Sequence, residues 1–427
     1  MQIILLSGGS GQRLWPLSNE IRSKQFIQCL QDDQGNLESM VQRTLRQIRK
    51  VDSNINISVI TQDVQVNQLS EQCSNDVDII VEPMRKGTYP AIISACLYLR
   101  DINKVDSKET ILVCPIDPYV EDSYYQSILD LSNHVEQGIT LLGIDPTYPS
   151  EKYGYILPTS KEKVSTVSCF KEKPDKEQAQ EYIDQGGLWN AGVFAFPLEY
   201  VLKNEEKTYA SYIQNYHQLE SNSFDVAVIE KEKNLKVVRY HGMWKDIGTW
   251  NTFTEALASK AVGEVYMDDT CENTHVINQL DIPVIAMGLK NCVIAMSRQG
   301  VLVSDKEQSS YIKPYVDQVQ MPIMFAQKSW GNYEVIDISE NSLTVKVTLH
   351  PGHKMNYHCH QYRDETWTVI EGKGLVTVGD QVKEVVAGDS IDCPRGIYHT
   401  VQAITDLKMI EVQIGKDISV EDKIIKK

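Results

Sequence analysis

Short apolar runs of strand length alternate with stretches of helical spacing through about residue 260 of the chain. Val41, Leu45 and Ile48 recur at the spacing of one helix face, and a second helix is predicted over 91–99. This alternation indicates an α/β fold, in which a mostly parallel, Rossmann-like sheet is covered by helices on both faces. Ligands of such sheets bind outside the carboxyl ends of the strands. The predicted strands are 3–6, 55–61, 79–82, 111–115, 139–144 and 192–196.

The pattern changes near residue 262, where helical periodicity disappears and β-rich runs recur at 284–287, 293–296 and 301–304. After Gly331, strand follows strand with frequent glycines between them. Repeated short strands with glycine turns predict a compact all-β barrel or jelly roll. The predicted organisation is an α/β domain over 1–262, a β-rich connector over 263–325 and an all-β domain over 326–427.

Composition narrows the partners that this chain can have. The net charge of −16 over 427 residues argues against a broad surface for nucleic acid or anionic membrane. No apolar run has the length that spans a bilayer. Nine scattered cysteines without a C-x-x-C pair, in a chain without a signal-like start, lead us to expect reduced thiols and a cytoplasmic protein.

The first predicted strand runs directly into a glycine-rich loop. Residues 7–17 read S-G-G-S-G-Q-R-L-W-P-L, and K-Q-F follows at 24–26. A strand that ends in such a loop exposes backbone N–H groups that suit phosphates, and Arg13 and Lys24 add charged donors. A plain turn between a strand and a helix is the alternative for the glycines alone. The spacing matches neither the P-loop nor the dinucleotide-binding fingerprint.

Over nearly its whole length this run resembles the signature of the sugar-1-phosphate nucleotidyltransferases, and most closely that of the GDP-mannose pyrophosphorylases. Other segments resemble elements of the same family in the same order. They are V-E-P-M-R-K-G-T-Y-P-A-I at 81–92, P-I-D-P at 115–118, Y-G-Y at 153–155, F-K-E-K-P at 170–174, W-N-A-G-V-F at 189–194, S-F-D-V-A-V-I-E at 223–230 and W-K-D-I-G-T-W at 244–250.

The resemblance implies that a mannose 1-phosphate oxygen attacks the α-phosphorus of GTP and that pyrophosphate leaves. Because two anions approach each other, the protein mainly supplies positioning and charge neutralisation. Mg²⁺ would be held by Asp117 and Asp246, since it prefers carboxylates, phosphates and water. The other implied roles are phosphate contacts for Arg13, Lys24 and Lys173, nucleotide contacts for Gly8, Gly9, Ser10, Gly11, Glu82, Arg85 and Thr88, and sugar contacts for Gly154, Glu172 and Asn190.

Departures from the family pattern keep alternatives open. Lys86-Gly87 stands where the family usually has Arg-Asn. Ile116 and Pro118 flank Asp117 where the family reads P-S-D-H. Another sugar 1-phosphate, such as a heptose 1-phosphate, or another nucleotide is therefore an alternative. A non-catalytic sugar-nucleotide scaffold is a further alternative. The paired carboxylates count against it, because a protein that only binds the sugar nucleotide needs no metal ligands. Asp246 alone could also be a helix cap.

The C-terminal segment concentrates histidines, since five of the nine fall between residues 350 and 399. The glycines, prolines and histidines over 352–399 resemble both halves of the cupin signature. Residues two apart on a strand point to one face, so His358 and His360 can converge, with Glu365 and His399 on neighbouring strands. Three imidazoles and a carboxylate suit Zn²⁺, Fe²⁺ or Mn²⁺. A cupin without metal is the alternative.

A cupin fused to this transferase resembles the domain of type II phosphomannose isomerases, which implies conversion of fructose 6-phosphate to mannose 6-phosphate. Aligned on Arg363, Glu365 and Trp367, the chain has Tyr362 and Thr366 where that family has histidines. These departures count against isomerase activity. The family resemblance also suggests a homodimer.

Overall fold

The computed structural model describes residues 1–9, 12–19, 21–73, 77–136, 138–319, 321–416, 418 and 422–426. Contacts divide the chain into two compact units. The first unit contains residues 1–10 and 23–258, and the second contains 11–22 and 259–427. Residues 11–22 lie inside the predicted transferase segment, yet their contacts are with the second unit. No helix among the described residues is long and apolar enough to cross a membrane.

The first unit mixes strands and helices in the predicted alternation. Its strands are β1 Gln2–Leu6, β2 Leu30–Gln31, β3 Leu37–Glu38, β4 Asn56–Gln62, β5 Val77–Glu82, β6 Thr110–Pro115, β7 Pro118–Val120, β8 Ile139–Ile144, β9 Tyr155–Pro158, β10 Val164–Lys171, β11 Leu188–Pro197, β12 Leu235–Tyr240 and β13 Trp244–Asp246. Its helices are α1 Met40–Val51, α2 Val66–Gln72, α3 Thr88–Asp101, α4 Asp122–Asp130, α5 Lys176–Asp184, α6 Leu198–Leu202, α7 Tyr209–Gln214, α8 Phe224–Ala227 and α9 Trp250–Thr254.

Nine strands of this unit form one sheet in the order β5-β4-β1-β6-β11-β8-β12-β10-β9. β5, β4, β1 and β6 pair in parallel, as do β8 and β12. β11 is antiparallel to both β6 and β8, and β10 is antiparallel to both β12 and β9. Seven of the nine strands therefore point the same way, which confirms the prediction of a mostly parallel sheet.

The core of the first unit explains why the central strands read as continuous apolar runs. Consecutive residues Ile3, Ile4 and Leu5 of β1 are all buried, so both faces of the strand are covered. The predicted helix face of Val41, Leu45 and Ile48 is buried in α1. The side chain of Ser39 accepts a hydrogen bond from the Gln42 N–H and begins this helix with a capping box.

The second unit consists almost entirely of strands. They are β14 Ala261–Val262, β15 Val265–Met267, β16 His275–Asn278, β17 Val284–Ala286, β18 Cys292–Ser297, β19 Gly300–Asp305, β20 Phe325–Lys328, β21 Gly331–Ser339, β22 Ser342–Leu349, β23 His358–Cys359, β24 Arg363–Glu371, β25 Lys373–Val378, β26 Gln381–Val386, β27 Ser390–Cys393, β28 His399–Ala403, β29 Leu407–Gly415 and β30 Ile424–Ile425. A short helix, α10, spans Lys313–Val316.

These strands form a small β region and a larger two-sheet barrel. β14-β16-β18-β19 and β15-β17 form the small sheets. The barrel has a six-stranded sheet, β20-β21-β22-β29-β24-β27, and a five-stranded sheet, β26-β25-β28-β23-β30. Side chains from both sheets, including Leu349, Trp367 and Val401, form one buried core. The predicted all-β cupin-like architecture is therefore confirmed.

Candidate functional site

Two carboxylates meet beyond the carboxyl end of β6 in the first unit. Asp117 lies two residues after the end of this strand and immediately before β7. β7 pairs with β13 in antiparallel register, with Pro118 opposite Asp246. Chain segments some 130 residues apart thus bring the two predicted metal ligands together. The helix that follows is capped by Thr249, so Asp246 is not its N-cap.

Lys24 connects the two carboxylates. Its Nζ lies 3.0 Å from Asp117 Oδ2 and 3.7 Å from Asp246 Oδ1. Lys24 is held on a 3-10 helix, Lys24–Phe26, in which the buried Gln25 amide donates to the Ser7 backbone oxygen at 3.4 Å. The ammonium group of Lys24 therefore lies close to both carboxylates, those of Asp117 and Asp246. A divalent ion would find two anionic ligands there, beside a cation that can bind phosphate.

The predicted sugar-contacting residues line a cavity of about 210 Å³ that also includes Asp117 and Asp246. Lys173 Nζ lies 3.0 Å from Glu172 Oε1 at this cavity. A Cβ added to Gly154 would lie 2.7 Å from Glu172 Oε2 and 2.9 Å from Phe170 Cζ. Glycine at 154 therefore leaves the space into which the Glu172 carboxylate extends.

Asn190 is oriented from both ends of its amide. Its Oδ1 accepts a hydrogen bond from the Gly192 N–H at 3.1 Å, and its Nδ2 donates to Asp225 Oδ1 at 2.6 Å. Asp225 lines the same cavity, although sequence reasoning left its function open. Burial, reinforced by the nearby charge of Glu172, raises the pKa of Asp225 to about 6. Its place in an S-x-D-x-A segment was the sequence signal for this residue.

Aromatic rings stand beside this cavity. The Tyr153 ring centroid lies 5.0 Å from that of Trp189 and 5.4 Å from that of Trp244. The Trp189 indole N–H donates to the Tyr155 hydroxyl at 3.0 Å, and Trp189 is buried. Trp189 is therefore a packing residue behind the polar residues of this cavity.

The five predicted nucleotide residues that the structure describes fall into two groups. Arg85 connects the glycine loop to the sheet, since its guanidinium donates to the Gly9 backbone oxygen and to Gln62 Oε1, both at 2.8 Å. Gly8 is exposed at the end of β1, as is Gly9, whose φ is +151°. Both glycines therefore lie beyond the carboxyl end of the first strand, where the motif predicted phosphate contacts.

Glu82 and Thr88 make contacts inside the first unit. Tyr216 donates to Glu82 Oε1 at 2.7 Å, and burial raises the pKa of this carboxyl group. The Thr88 hydroxyl oxygen accepts from the Phe224 N–H at 2.9 Å at the start of α3. These contacts give both side chains a structural role, and their predicted contact with nucleotide stays a prediction.

For Ser10, Gly11 and Arg13 the predicted contacts are not tested by the structure. Ser10 and Gly11 lie outside the described residues. Arg13 is exposed on a short 3-10 helix, Gln12–Leu14, which belongs to the second unit. Its predicted contact with the triphosphate stays a prediction.

In the second unit, the four predicted cupin ligands form one cluster. His358, His360, Glu365 and His399 are all buried, and one ligand atom from each lies within 4.8 Å of the others. β23 pairs with β28, so that His358 and His399 are direct neighbours in register. Glu365 is on the adjacent sheet, in β24. The convergence that period-two alternation predicted is present.

Backbone carbonyls orient all three imidazoles. The Nδ1 atoms of His358 and His399 lie 2.7 Å and 2.9 Å from the Asn356 and Ile397 oxygens, and His360 Nδ1 contacts the Asp422 oxygen. An Nδ1–H that donates to a carbonyl leaves Nε2 as the electron-pair donor. Burial lowers the pKa of His358 to about 3, so this ring is neutral at pH 7.

Two further observations fit a cation in this cluster. His399 is fully buried, and its Nε2 lies 3.4 Å from Glu365 Oε2 inside the cluster. Burial alone would raise the pKa of Glu365, but hydrogen bonds with His360 and His399 outweigh it and lower this pKa. A buried carboxylate beside three imidazole nitrogens is a donor set that suits a borderline divalent metal.

The two departures from the isomerase pattern lie away from the cluster. Tyr362 is 51% exposed, and the Thr366 hydroxyl donates to Asp392 on the outer side of β24. Glu365 is on the opposite, buried face of the same strand. The missing histidines therefore do not remove any of the four clustered side chains.

The cluster borders a cavity of about 1010 Å³ within the second unit. Lys328, Arg363 and Lys423 line it together with Glu365 and Glu411. Arg363 donates to Glu365 Oε1 at 2.9 Å. Burial lowers the pKa of both lysines, and it raises the pKa of Glu411 to about 8 with the help of the Glu365 charge. Basic and acidic side chains thus line the cavity beside the metal-ligand cluster.

Fold and site together define a class of protein. The first unit is a mostly parallel α/β unit with a glycine loop and paired carboxylates at its strand ends, an arrangement that suits phosphoryl chemistry. The second unit contains a barrel with a buried His₃Glu cluster. Residues 2–261 match the nucleotidyl transferase family, and residues 318–427 match the mannose-6-phosphate isomerase C-terminal family. The chain belongs to the nucleotidyl transferase family.

Curated relatives match nearly the whole chain. A mannose-1-phosphate guanylyltransferase of Salmonella montevideo is 28% identical, with 98% of this chain and 97% of the relative covered. The alginate biosynthesis protein AlgA of Pseudomonas aeruginosa is 27% identical, with 98% and 95% covered. The crystal structure of a mannose-1-phosphate geranyltransferase from Thermus thermophilus superimposes with a TM-score of 0.63 at 25% identity, covering 75% of this chain and 99% of that one.

Proposed function

We propose that this enzyme transfers GMP from GTP to α-D-mannose 1-phosphate, giving GDP-mannose and pyrophosphate. One observation carries the proposal: the carboxylates of Asp117 and Asp246 and the ammonium of Lys24 share one point at a polar cavity. Binding alone would not require two carboxylates beside a phosphate site, because they repel phosphate unless a cation lies between. The full-length similarity to curated mannose-1-phosphate guanylyltransferases supports this choice of base and sugar.

The residues of the cavity divide the work of the reaction. Lys173 neutralises the phosphate of the incoming sugar. Glu172 accepts hydrogen bonds from the sugar hydroxyls, and the Asn190 amide can donate to them and accept from them. Lys24 stabilises the charge on the α-phosphate as the sugar phosphate oxygen attacks in line. The attacking phosphate is already ionised at neutral pH, so no side chain has to remove a proton. Mg²⁺, held by Asp117 and Asp246, would supply charge neutralisation for the phosphates.

The barrel would hold a divalent transition metal, Zn²⁺, Fe²⁺ or Mn²⁺, through His358, His360, Glu365 and His399. The buried Nε2 of His399, which lies 3.4 Å from Glu365 Oε2, and the Nδ1–H groups fixed by backbone carbonyls support this assignment. Mannose-6-phosphate isomerisation is a second candidate function for this unit. The family match over 318–427 favours it, as does the outward position of Tyr362 and Thr366.

The substrate assignment is tested by measuring pyrophosphate release with four nucleoside triphosphates, each against a panel of sugar 1-phosphates. The proposal expects GTP with mannose 1-phosphate to have the highest kcat/KM. A better pair, such as a heptose 1-phosphate with another triphosphate, would replace the named substrates while keeping the reaction class. Absence of turnover with every pair would instead favour a sugar-nucleotide-binding scaffold.

We infer from the same family resemblance that the enzyme acts as a cytoplasmic homodimer. Light scattering coupled to gel filtration measures the mass of the particle directly. A mass of twice 48.5 kDa is expected, and a mass of one chain at micromolar concentration would contradict the dimer.

A further inference from the structure

Two partly buried lysines line the large cavity of the second unit. The described residues around this cavity all belong to that unit. Lys328 is the last residue of β20, and Lys423 immediately precedes β30. Burial lowers the pKa of both ammonium groups, and the nearby charge of Lys328 adds to the lowering at Lys423. Among the described residues, neither ammonium forms an ion pair or a hydrogen bond with a carboxylate.

Arg363, a further cation of this cavity, is already paired. It donates to Glu365 Oε1 at 2.9 Å, and its Nη1 lies 4.0 Å from Asp422 Oδ2. Lys328 and Lys423 therefore remain available to a ligand. A charge that is withdrawn from water is unfavourable unless an anion pairs with it. An anionic group of a ligand between the two lysines would remove this cost.

An unpaired acceptor lies in the same cavity. Gln413 is only 6% exposed, and its Oε1 has no hydrogen-bond donor among the described residues. Its Nε2 donates to Glu411 Oε1, which fixes the direction of the amide. Gln413 pairs in register with Glu365, so the acceptor lies beside the metal-ligand cluster. A buried oxygen without a donor is costly, and a hydroxyl group of a ligand would satisfy it.

Glu411 adds little negative charge to this surface. Burial raises its pKa to about 8, with the help of the Glu365 charge, so the carboxyl group is mainly protonated at pH 7. It therefore does not cancel the attraction of the two lysines for an anion. The cavity thus combines unpaired cations with an unpaired acceptor, which is the chemistry that recognises a phosphate group on a polyhydroxyl compound.

We propose that this cavity binds a sugar phosphate, with the phosphate at Lys328 and Lys423 and a sugar hydroxyl at Gln413 Oε1. The proposal deepens the second candidate function, mannose-6-phosphate isomerisation, on which it rests for the choice of sugar. Two ammonium groups match the charge of a phosphate monoester, which is close to −2 at pH 7. The proposal assigns ligand binding to three side chains outside the metal-ligand cluster.

Isothermal titration calorimetry of the full chain with mannose 6-phosphate, mannose and inorganic phosphate tests the two contacts. Wild type should bind mannose 6-phosphate at least about tenfold more tightly than either other probe, because only this probe makes both contacts. Inorganic phosphate that binds as tightly as mannose 6-phosphate would overturn the sugar contact. Mannose that binds as tightly would overturn the phosphate contact.

Lys328→Met and Lys423→Met remove each charge and keep a long side chain. Each should raise the Kd for mannose 6-phosphate by about tenfold, and the double variant should bind it no better than mannose. Lys373→Met is the control, because Lys373 is exposed on β25 and does not line the cavity. The Tm of the two lysine variants should not fall, since each loses an unpaired charge. Wild-type affinity in the double variant would overturn the proposal.

Gln413→Leu tests the hydroxyl contact, and Gln402→Leu is its control, because Gln402 is exposed on β28 and does not line the cavity. Gln413→Leu should raise the Kd for mannose 6-phosphate by about fivefold, and the gap between this probe and inorganic phosphate should shrink. The affinity for inorganic phosphate should stay at its wild-type value. An unchanged Kd for mannose 6-phosphate would refute the role of Gln413.

An isomerase assay of the same proteins separates this proposal from the function on which it rests. If wild type binds mannose 6-phosphate through the lysines but does not convert it to fructose 6-phosphate, isomerisation is refuted and the binding site stands. If the double lysine variant isomerises mannose 6-phosphate with a wild-type KM, the binding site is refuted and isomerisation stands. Wild type that does not bind mannose 6-phosphate at all would also overturn the proposal.

Discussion

A single methyl group at position 154 should weaken binding of the sugar phosphate and leave the nucleotide unaffected. In Gly154→Ala the new Cβ would lie 2.7 Å from Glu172 Oε2, 2.9 Å from Phe170 Cζ and 3.4 Å from Asn190 Cβ. Carbon contacts are most favourable at about 3.5–4.0 Å, so the nearest groups must move by about 1 Å. The Glu172 carboxylate is the flexible group among them, and its movement would disturb the 3.0 Å ion pair with Lys173.

The size of the effect follows from the cost of overpacking. Inserting a methyl group into a packed site costs about 1–3 kcal/mol. If about 1.4 kcal/mol of this cost appears only when the sugar binds, KM for mannose 1-phosphate rises about tenfold. Any remainder lowers the free energy of unfolding of the first unit, by about 2–4 °C of Tm for each kcal/mol in a folding unit of roughly 250 residues.

Initial rates of pyrophosphate release, with each substrate varied in turn, measure the two KM values separately. Gly187→Ala is the matched control, because its Cβ would lie 2.6 Å from the Tyr182 oxygen, a clash outside the cavity. The control should lose stability with both KM values unchanged. An unchanged KM for mannose 1-phosphate in Gly154→Ala, or an equal rise in KM for GTP, would refute the assignment of the sugar subsite.

Two further predictions concern the metal cluster and the buried carboxyl group. Elemental analysis should find roughly one transition-metal ion per chain in the wild type. The double variant His358→Ala/His360→Ala should lose this ion and keep guanylyl transfer. Wild type without metal, or isomerase activity that persists in the variant, would contradict the ligand assignment. The pKa of Asp225 is raised on folding to about 6, so its contribution to stability is present below about pH 4 and is lost as pH rises through 6. Asp225→Asn should therefore gain up to about 3 kcal/mol of unfolding free energy relative to wild type between pH 4 and 7, and a pH-independent difference in urea unfolding would refute this burial effect.

The fold of this chain was predictable where local pattern and tertiary packing agree. Apolar runs such as 3–6 and 111–115 are buried on both faces, which is the condition under which a continuous apolar run indicates a central parallel strand. The cupin ligands were predictable because period-two alternation and strand pairing decide which side chains converge. The directions of β10 and β11 were not predictable, since strand order and direction depend on pairings between distant segments.

The site was predictable in its residue types and less so in its contacts. Glu82 was expected at the nucleotide, and one of the hydrogen bonds that it accepts comes from Tyr216, which is 134 positions away in the sequence. Asp225 could not be separated from a solvated residue, because its helix α8 has only four residues and carries no clear periodicity. The Ser297 hydroxyl donates to the Pro16 backbone oxygen across 281 positions, a contact that no local sequence pattern predicts.

The most direct test of the account is the Mg²⁺ dependence of pyrophosphate release in Asp117→Asn and Asp246→Asn. Asp184→Asn is the control, because this exposed carboxylate lies outside the cavity and accepts a hydrogen bond from Gln180 on its own helix. Each site variant should lose about a hundredfold or more in kcat and need more Mg²⁺ for half-maximal rate, with Tm nearly unchanged, because the phosphates lose charge neutralisation. Full activity with wild-type Mg²⁺ dependence in either site variant would contradict the claim that these two carboxylates hold the catalytic ion.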